Sequence, residues 1–502
     1  MSFCREISLK GTRNLCIWLV IFLCSQAVVL AAGPGFSIEP AITPQGNPIF
    51  PIGWWYNVQR WYNIQTNVQE LDAAWAQMAA GGADTLYIAN GPNFNTYNHN
   101  LYLSYAAKYG LKLIFMIFRD DLQKIDDPLW GESQMATIIA TIESDLQHPN
   151  FLGYSLGDEL RDCDGPSTGY VSHAQQQWMM DRVKERNANV MVLQSFGATQ
   201  PLHDPGDGCS IEGRVAISDT LAFFRYPFAL CVPLYYPVSI TNNLLCINNL
   251  ARDSGGLVVG RRGLFNVGQG VGDDWNSDPD PFAPCGMRYP VYGELRYDQW
   301  AGVAVNRQRG AIYFEFGALP APQGWVDHFN NIMTPLMQEQ GQLKHAMETG
   351  WDVGTVVTNG DAYLWSGGPT VRQVGSLLVY DADALKYYLI LTNNRDSTNT
   401  VSVSISNLPT TLSSMTATLL NENGTGKDTV TMSTGQQQGE YTFSISMSKY
   451  DVDIYQISGT GSNCVPALQT DINGDCKVDF KDFAVLASEW MHCNWSNQNL
   501  CN

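Results

Sequence analysis

Residues Phe151-Leu-Gly-Tyr-Ser-Leu-Gly-Asp-Glu-Leu160 decide the fold. Successive side chains of a strand point to opposite faces, so Gly153, Ser155, Gly157 and Glu159 share one face. Leu152, Tyr154, Leu156 and Asp158 share the other. Small residues on one side and bulky ones on the other suit a barrel strand, bulky side against the surrounding helices. On that reading Glu159 stands at the barrel mouth and points inward.

The same alternation of short apolar strands with helical segments continues on both sides of this stretch. Candidate strands are Phe50–Trp55, Thr85–Ile88, Leu111–Phe118, Leu152–Leu156, Val190–Leu193, Thr220–Phe224, Gly263–Val267 and Gly310–Phe314. Helical patterns lie between most of them, as in Val68–Ala80, Met135–Gln147 and Gln175–Arg186. Eight strands over about 270 residues fit a (β/α)8 TIM barrel spanning 33–346, whose active site gathers at the strand C-termini. A doubly wound open sheet is the alternative, but no Gly-rich phosphate loop follows the first strand.

Beyond Met347 the chain turns rich in Thr, Val, Ser and Tyr. Alternating runs occur at Leu377–Tyr380, Tyr387–Thr392, Thr400–Ile405, Ala417–Leu420 and Tyr441–Ile445, with turn signals such as Asn423-Gly424 between them. This predicts a β-sandwich over 347–457. Ser458-Gly-Thr-Gly-Ser-Asn463 then reads as a flexible linker. A short, Trp-containing junction, Met347-Glu-Thr-Gly-Trp-Asp352, implies that barrel and sandwich share a packed interface.

Residues 464–502 hold a distinct pattern. Asp471, Asn473, Asp475, Asp479 and Asp482 place side-chain oxygens at loop positions one, three, five, nine and twelve, and Lys477 adds a backbone carbonyl at seven. A hard cation such as Ca2+ takes six to eight oxygens at about 2.3–2.6 Å from a loop of this spacing. Phe480, Phe483, Leu486 and Trp490 then repeat at helical spacing. An Asx-rich surface turn without metal is the alternative.

The N-terminus carries Arg5, Lys10 and Arg13, an apolar run from Leu15 to Leu30, then Ala31-Ala32-Gly33. That predicts a secretory signal peptide over 1–32, with a retained membrane anchor as the alternative. A secreted or cell-surface protein is expected, with no further membrane span. The net charge of −19 argues against nucleic acid and anionic membranes as partners. Nine of the twelve cysteines lie beyond the signal, so export makes disulfides plausible and leaves an odd thiol.

The stretch 151–160 resembles TIM-barrel glycoside hydrolases, especially clan A, which carry a catalytic Glu at the end of strand four. The family's Asp-Glu-Pro matches Asp158 and Glu159, with Leu160 in place of proline. His148-Pro149, Tyr226-Pro227 and Arg288-Tyr-Pro-Val-Tyr-Gly-Glu-Leu-Arg296 add further short matches across 50–345. The resemblance implies hydrolysis of O-glycosidic bonds in a poly- or oligosaccharide, with Glu159 as general acid/base and no catalytic cofactor. Clan A relatives place a nucleophilic Glu at the end of strand seven, where Gly263-Leu-Phe-Asn-Val-Gly-Gln269 offers Gln269. An amide forms no glycosyl ester, so the second carboxylate must come from Glu315 first, then Glu294, Asp120 or Asp158. A non-catalytic glycan-binding or surface-assembly protein on the same barrel is the rival reading.

Aromatic residues near strand ends suit stacking on sugar rings: Trp54, Trp55, Tyr87, Tyr226 and Trp275, with Asn90 and Gln269 placed to take hydroxyls. The loop 471–482 resembles the calcium loop of dockerin modules, differing in Cys476 at position six and in occurring once. That resemblance implies structural Ca2+ and a cohesin-like or cell-surface partner.

Overall fold

The structure is a computed structural model of the chain. It describes residues 40–57, 68–89, 96–117, 119–156, 171–196, 218–224, 264–269, 288–314, 316, 323–350, 353–359, 373–381, 383–384, 386–395, 397–408, 410–421, 424–435 and 439–464. The expected signal segment 1–32, the expected calcium loop 471–482 and every cysteine but Cys464 lie outside the described residues.

An N-terminal hairpin, β1 (Ala41–Ile42) and β2 (Pro48–Ile49), leads into β3 (Ile52–Asn57). Parallel strands then alternate with helices. They are β4 (Thr85–Ala89), β5 (Lys112–Met116), β6 (Phe151–Ser155), β7 (Met191–Phe196), β8 (Thr220–Phe224), β9 (Leu264–Gln269) and β10 (Gly310–Phe314). The described helices are α1 (Val68–Ala80), α2 (Thr96–Tyr109), α3 (Arg119–Gln123), α4 (Gly131–Asp145), α5 (His173–Arg186), α6 (Tyr292–Asn306), α7 (Gln323–His328) and α8 (Thr334–Thr349). The eight strands close on themselves in the order β10-β3-β4-β5-β6-β7-β8-β9, so the sheet is a barrel and not an open doubly wound sheet. Closure leaves no unpaired strand edge.

Strand alternation sorts the apolar side chains into two layers. Trp55, Tyr87, Ile114, Met116, Leu152, Met191, Leu193, Ala222 and Ile312 fill the barrel, joined by Ala41 and Ile49 of the hairpin. Asn187, just before β7, donates to the Pro44 carbonyl at 2.9 Å, placing the hairpin across the N-terminal end of the barrel. Two aspartates brace that end in the same manner. Asp84 accepts the Ile52 amide at 3.0 Å and pairs with Lys344, while Asp219 accepts the Val192 amide at 2.7 Å and pairs with Lys184. Each ties the start of one strand to a neighbouring segment, a stabilising role typical of this end of a barrel.

The second domain is a sandwich of a four-stranded sheet and a five-stranded sheet. The first has order β11-β14-β18-β17 and comprises β11 (Thr355–Thr358), β14 (Asn399–Ser406), β17 (Ser433–Thr434) and β18 (Tyr441–Met447). The second has order β12-β13-β19-β15-β16 and comprises β12 (Val374–Asp381), β13 (Lys386–Asn393), β15 (Thr410–Leu420), β16 (Gly426–Thr431) and β19 (Val452–Cys464). Val401, Val403, Phe443 and Met447 of the first meet Leu378, Leu389, Leu391, Tyr455 and Ile457 of the second. The other face of the five-stranded sheet, with Leu377, Val379, Ile390, Val452 and Ile454, packs into the outer core of the barrel. The expected packed interface is therefore present. Arg296 of α6 crosses it, donating to the Val452 carbonyl while holding Glu339 of α8 at 2.8 Å.

Two expectations give way. The chain does not form a linker at 458–463, because β19 runs unbroken to Cys464 and pairs with β15, as in Thr416↔Ser458 and Thr410↔Cys464. Backbone pairing with a distant strand overrides the turn preference of its glycines and serines. Leu152 faces the barrel interior and not the helices, because β6 carries an extra residue opposite β5: Leu113 pairs with Phe151 but Ile114 with Gly153. Such a bulge resets which side the next side chains take. A Cβ at Gly153 would lie 2.1 Å from the Met191 carbonyl oxygen, so glycine is what lets β6 and β7 approach there.

Candidate active site at the barrel mouth

Past the bulge, Tyr154 turns outward and Ser155 inward. Tyr87, two strands away, donates its phenolic proton to the Ser155 hydroxyl at 2.6 Å. The ring of Tyr87 lies flat on Trp55 of β3, with centroids 3.9 Å apart and planes 16° from parallel. Trp55, Tyr87 and Ser155 thus form a continuous inner platform across β3, β4 and β6. Trp55 and Tyr87 are 1% and 2% exposed, so they form the floor of the mouth and not its open wall.

The outward side of the same strand is anchored from behind. Tyr154 donates to Asp145 Oδ2 at 2.5 Å, and His99 of α2 reaches the same oxygen at 2.7 Å. His99 also stacks on Phe115, centroids 4.1 Å apart. All three polar groups are buried. Burial, reinforced by the Asp145 carboxylate, pushes the Tyr154 phenol well above its ordinary range, so it remains a neutral donor. β6 is therefore fixed on both faces at its end, through Tyr154 and Ser155.

The predicted site residues separate into three groups. Trp55 and Tyr87 come together as described. Trp54 is fully buried in the outer layer, among Tyr313, Phe316, Trp325 and Phe329, with centroid distances of 5.6–6.4 Å. It has no face left for a ligand, since odd and even positions of β3 serve opposite sides of the barrel wall. Glu294 is 1% exposed and is gripped by Arg288 through two bonds of 2.7 and 2.8 Å, while its carboxylate also accepts the Val291 amide at 3.2 Å. That is a structural ion pair closing the start of α6. The backbone of Gln269 ends β9, level with Phe314. Asp158, Glu159, Glu315, Asn90, Tyr226, Trp275 and the loop with Asp471, Asn473, Asp475, Lys477, Asp479 and Asp482 lie outside the described residues, as does the side chain of Asp120.

His328 of α7 is 3% exposed and packs against Tyr289, and burial pulls its imidazole down to about 3, which leaves it neutral. Reading the sequence for aromatics at strand ends passed over Trp130, which is 65% exposed in the turn before α4. Its signal was a tryptophan between Pro128 and Gly131, outside any strand or helix pattern.

No protein-family model matches the chain, and no curated protein matches it. Among solved structures, a family 51 α-L-arabinofuranosidase from Bifidobacterium longum is similar over 84% of this chain and 96% of that one, at 10% identity and a TM-score of 0.43. An Anoxybacillus α-amylase is similar over 82% and 98%, at 10% identity and 0.45. A GH30 endoxylanase from Clostridium papyrosolvens is similar over 84% and 99%, at 10% identity and 0.39.

Proposed function

We propose that the protein is an exported glycoside hydrolase that cleaves O-glycosidic bonds of a poly- or oligosaccharide, with Glu159 as general acid/base. The observation that carries this reading is Ser155. It faces the interior of a closed parallel barrel near the end of the fourth strand, bonded to Tyr87. Continued from Ser155, the period of two falls on Gly157 and Glu159 in the sequence. A carboxyl at that position on such a barrel can protonate a leaving glycosidic oxygen. Glu315, the residue after β10, is the first choice for the second carboxylate, with Asp158 next.

The test is turnover of unactivated glycans by the purified chain. Glu159→Gln is expected to lower kcat by about 10²–10⁴-fold with unchanged thermal stability. Turnover equal to wild type removes Glu159 from the mechanism.

A second reading, a glycan-binding barrel without catalysis, draws on Gln269, an amide at the end of β9. On this reading wild-type protein binds a glycan and releases no product from it, and Glu159→Gln binds equally well.

The spacing of Asp471, Asn473, Asp475, Asp479 and Asp482 supports a structural Ca2+ loop in the C-terminal segment, used for attachment to a scaffold or cell surface. Calorimetry on the full chain is expected to show Ca2+ binding that Asp471→Ala with Asp482→Ala abolishes. Identical heats for both proteins would remove the calcium assignment.

A further inference from the structure

We infer that Trp130 and Leu129 form a rim platform that binds a strand of neutral polysaccharide beside the barrel mouth. The inference rests on the glycan reading above but concerns binding, not bond cleavage.

Leu129 and Trp130 are 83% and 65% exposed, and among the described residues they are adjacent large apolar side chains offered to solvent. Side by side they form a small contiguous apolar patch, and such patches mark contact sites. The turn that presents them is held firmly. Asp127 accepts the Leu129 amide at 2.7 Å and the Trp130 amide at 3.3 Å through one carboxylate oxygen. Its carbonyl accepts the Gly131 amide at 2.8 Å. A Cβ at Gly131 would lie 2.4 Å from the Ile125 carbonyl oxygen, so the close crossing of the two segments requires glycine.

Position and surroundings say what the platform takes. The turn joins α3 to α4 within the connection that follows β5, and the start of α4 lies at the end of the barrel where strands finish and helices begin. Asp126 in this turn accepts from Gln175 at 2.5 Å, and Gln175 lies in the first turn of α5, the helix that follows β6 in the barrel. Trp130 therefore sits on the rim between the third and fourth β/α units, next to the unit whose sequence carries Glu159. A shallow cleft of about 440 Å³ is lined by Gln123, Lys124, Asp126 and Asp127, groups that donate to and accept from hydroxyls, and Asp127 links it to the platform by accepting the Trp130 amide. An exposed aromatic ring in the same turn as hydrogen-bonding groups matches a pyranose, whose C–H face stacks while its edge hydroxyls bond.

The competing occupants fit less well. One tryptophan ring offers at most about 250 Å², far below the roughly 800 Å² that each partner of a stable protein interface buries. Two aspartates line the cleft, and the whole chain carries a net charge of −19, so nucleic acid and anionic lipid are repelled.

The test is affinity electrophoresis of the full chain in native gels containing soluble neutral β-glucan, mannan, xylan, arabinan or starch. Wild type is expected to be retarded by at least one polymer, with Trp130→Ala weakening that affinity about tenfold or more. Trp130→Tyr, which keeps a ring, should retain most of the retardation. Trp130 is exposed, so melting temperatures should match. Equal retardation of wild type and Trp130→Ala overturns the inference, as does a wild type that no polymer retards. A change in sedimentation coefficient on Trp130→Ala would instead assign the patch to a second copy of the chain. Glu159→Gln separates the two readings: it should lose turnover and keep retardation. Retardation lost in Trp130→Ala while Glu159→Gln retains full turnover would sink the catalytic assignment and leave the platform standing.

Discussion

Trp54 and Trp55 are neighbours in β3, chemically identical and equally buried, yet they belong to different working parts of the protein. Trp54 is enclosed by Tyr313, Phe316, Trp325 and Phe329, in the layer where helices pack on the barrel. Trp55 lies flat against Tyr87 inside it, two contacts away from Ser155. The outer layer is continuous with the sandwich through Leu377, Val379 and Ile454, so it holds the whole body together. The inner layer is smaller and ends at the mouth. Burial alone thus says nothing about whether a tryptophan is scaffold or site; the side of the wall does.

Removing the outer ring should have the largest effect. Trp54→Ala is expected to destabilise the body by about 3–5 kcal/mol, read by urea unfolding, while turnover per folded molecule stays near wild type. A loss of turnover in fully folded Trp54→Ala would break the division between layers.

A smaller effect tests how far the outer layer reaches. Asp453 of β19 lies near the interface, where burial and the neighbouring Asp451 carboxylate raise its pKa to about 6. The folded protein then holds a proton that the unfolded chain releases above about 4. Stability supplied by that proton is complete below pH 4 and is lost as pH rises through 6. Relative to Asp453→Asn, wild type should lose on the order of 2 kcal/mol between pH 4 and 7. Parallel stability curves for the two proteins would show that Asp453 is solvated like an ordinary carboxylate.

The smallest effect belongs to the inner layer. Tyr87→Phe deletes the 2.6 Å bond to Ser155 but keeps the ring stacked on Trp55. It should cost about 1 kcal/mol. If it costs as much as Trp54→Ala, the inner layer is as structural as the outer one.

Much of this architecture was legible in the sequence. All eight expected barrel strands overlap observed strands, and the sandwich strands at 377–380, 387–392, 400–405, 417–420 and 441–445 fall within them, because periods of two and 3.6 follow directly from backbone geometry. The two faces of β3 could be told apart by alternation, but which face met the helices depended on contacts 260 residues away at Tyr313 and Phe316. The bulge at Leu152 was hidden because it is a relation between two strands. The segment 458–463 has the composition of a linker, and composition reports local preference, whereas its pairing with 410–416 is distant. Trp130 was missed because an exposed ring in a turn has no period. Of the candidate site, alternation alone does not show that Trp55 stacks on Tyr87 or that Arg288 holds Glu294, because both depend on side-chain contacts.

The run of β19 to Cys464 has a mechanical consequence. This strand sits in the middle of its sheet, with β13 on one side and β15 on the other. Whatever follows residue 464 is therefore tethered to an inner strand and not to a loose tail. A pull along the strand axis reaches the β15 ladder first, up to Cys464, and then the β13 ladder over Val452–Ile457, loading backbone bonds in shear where a pull at a sheet edge would open them one by one. If the C-terminal segment grips a surface, as proposed above, drag on the barrel would pass through these ladders.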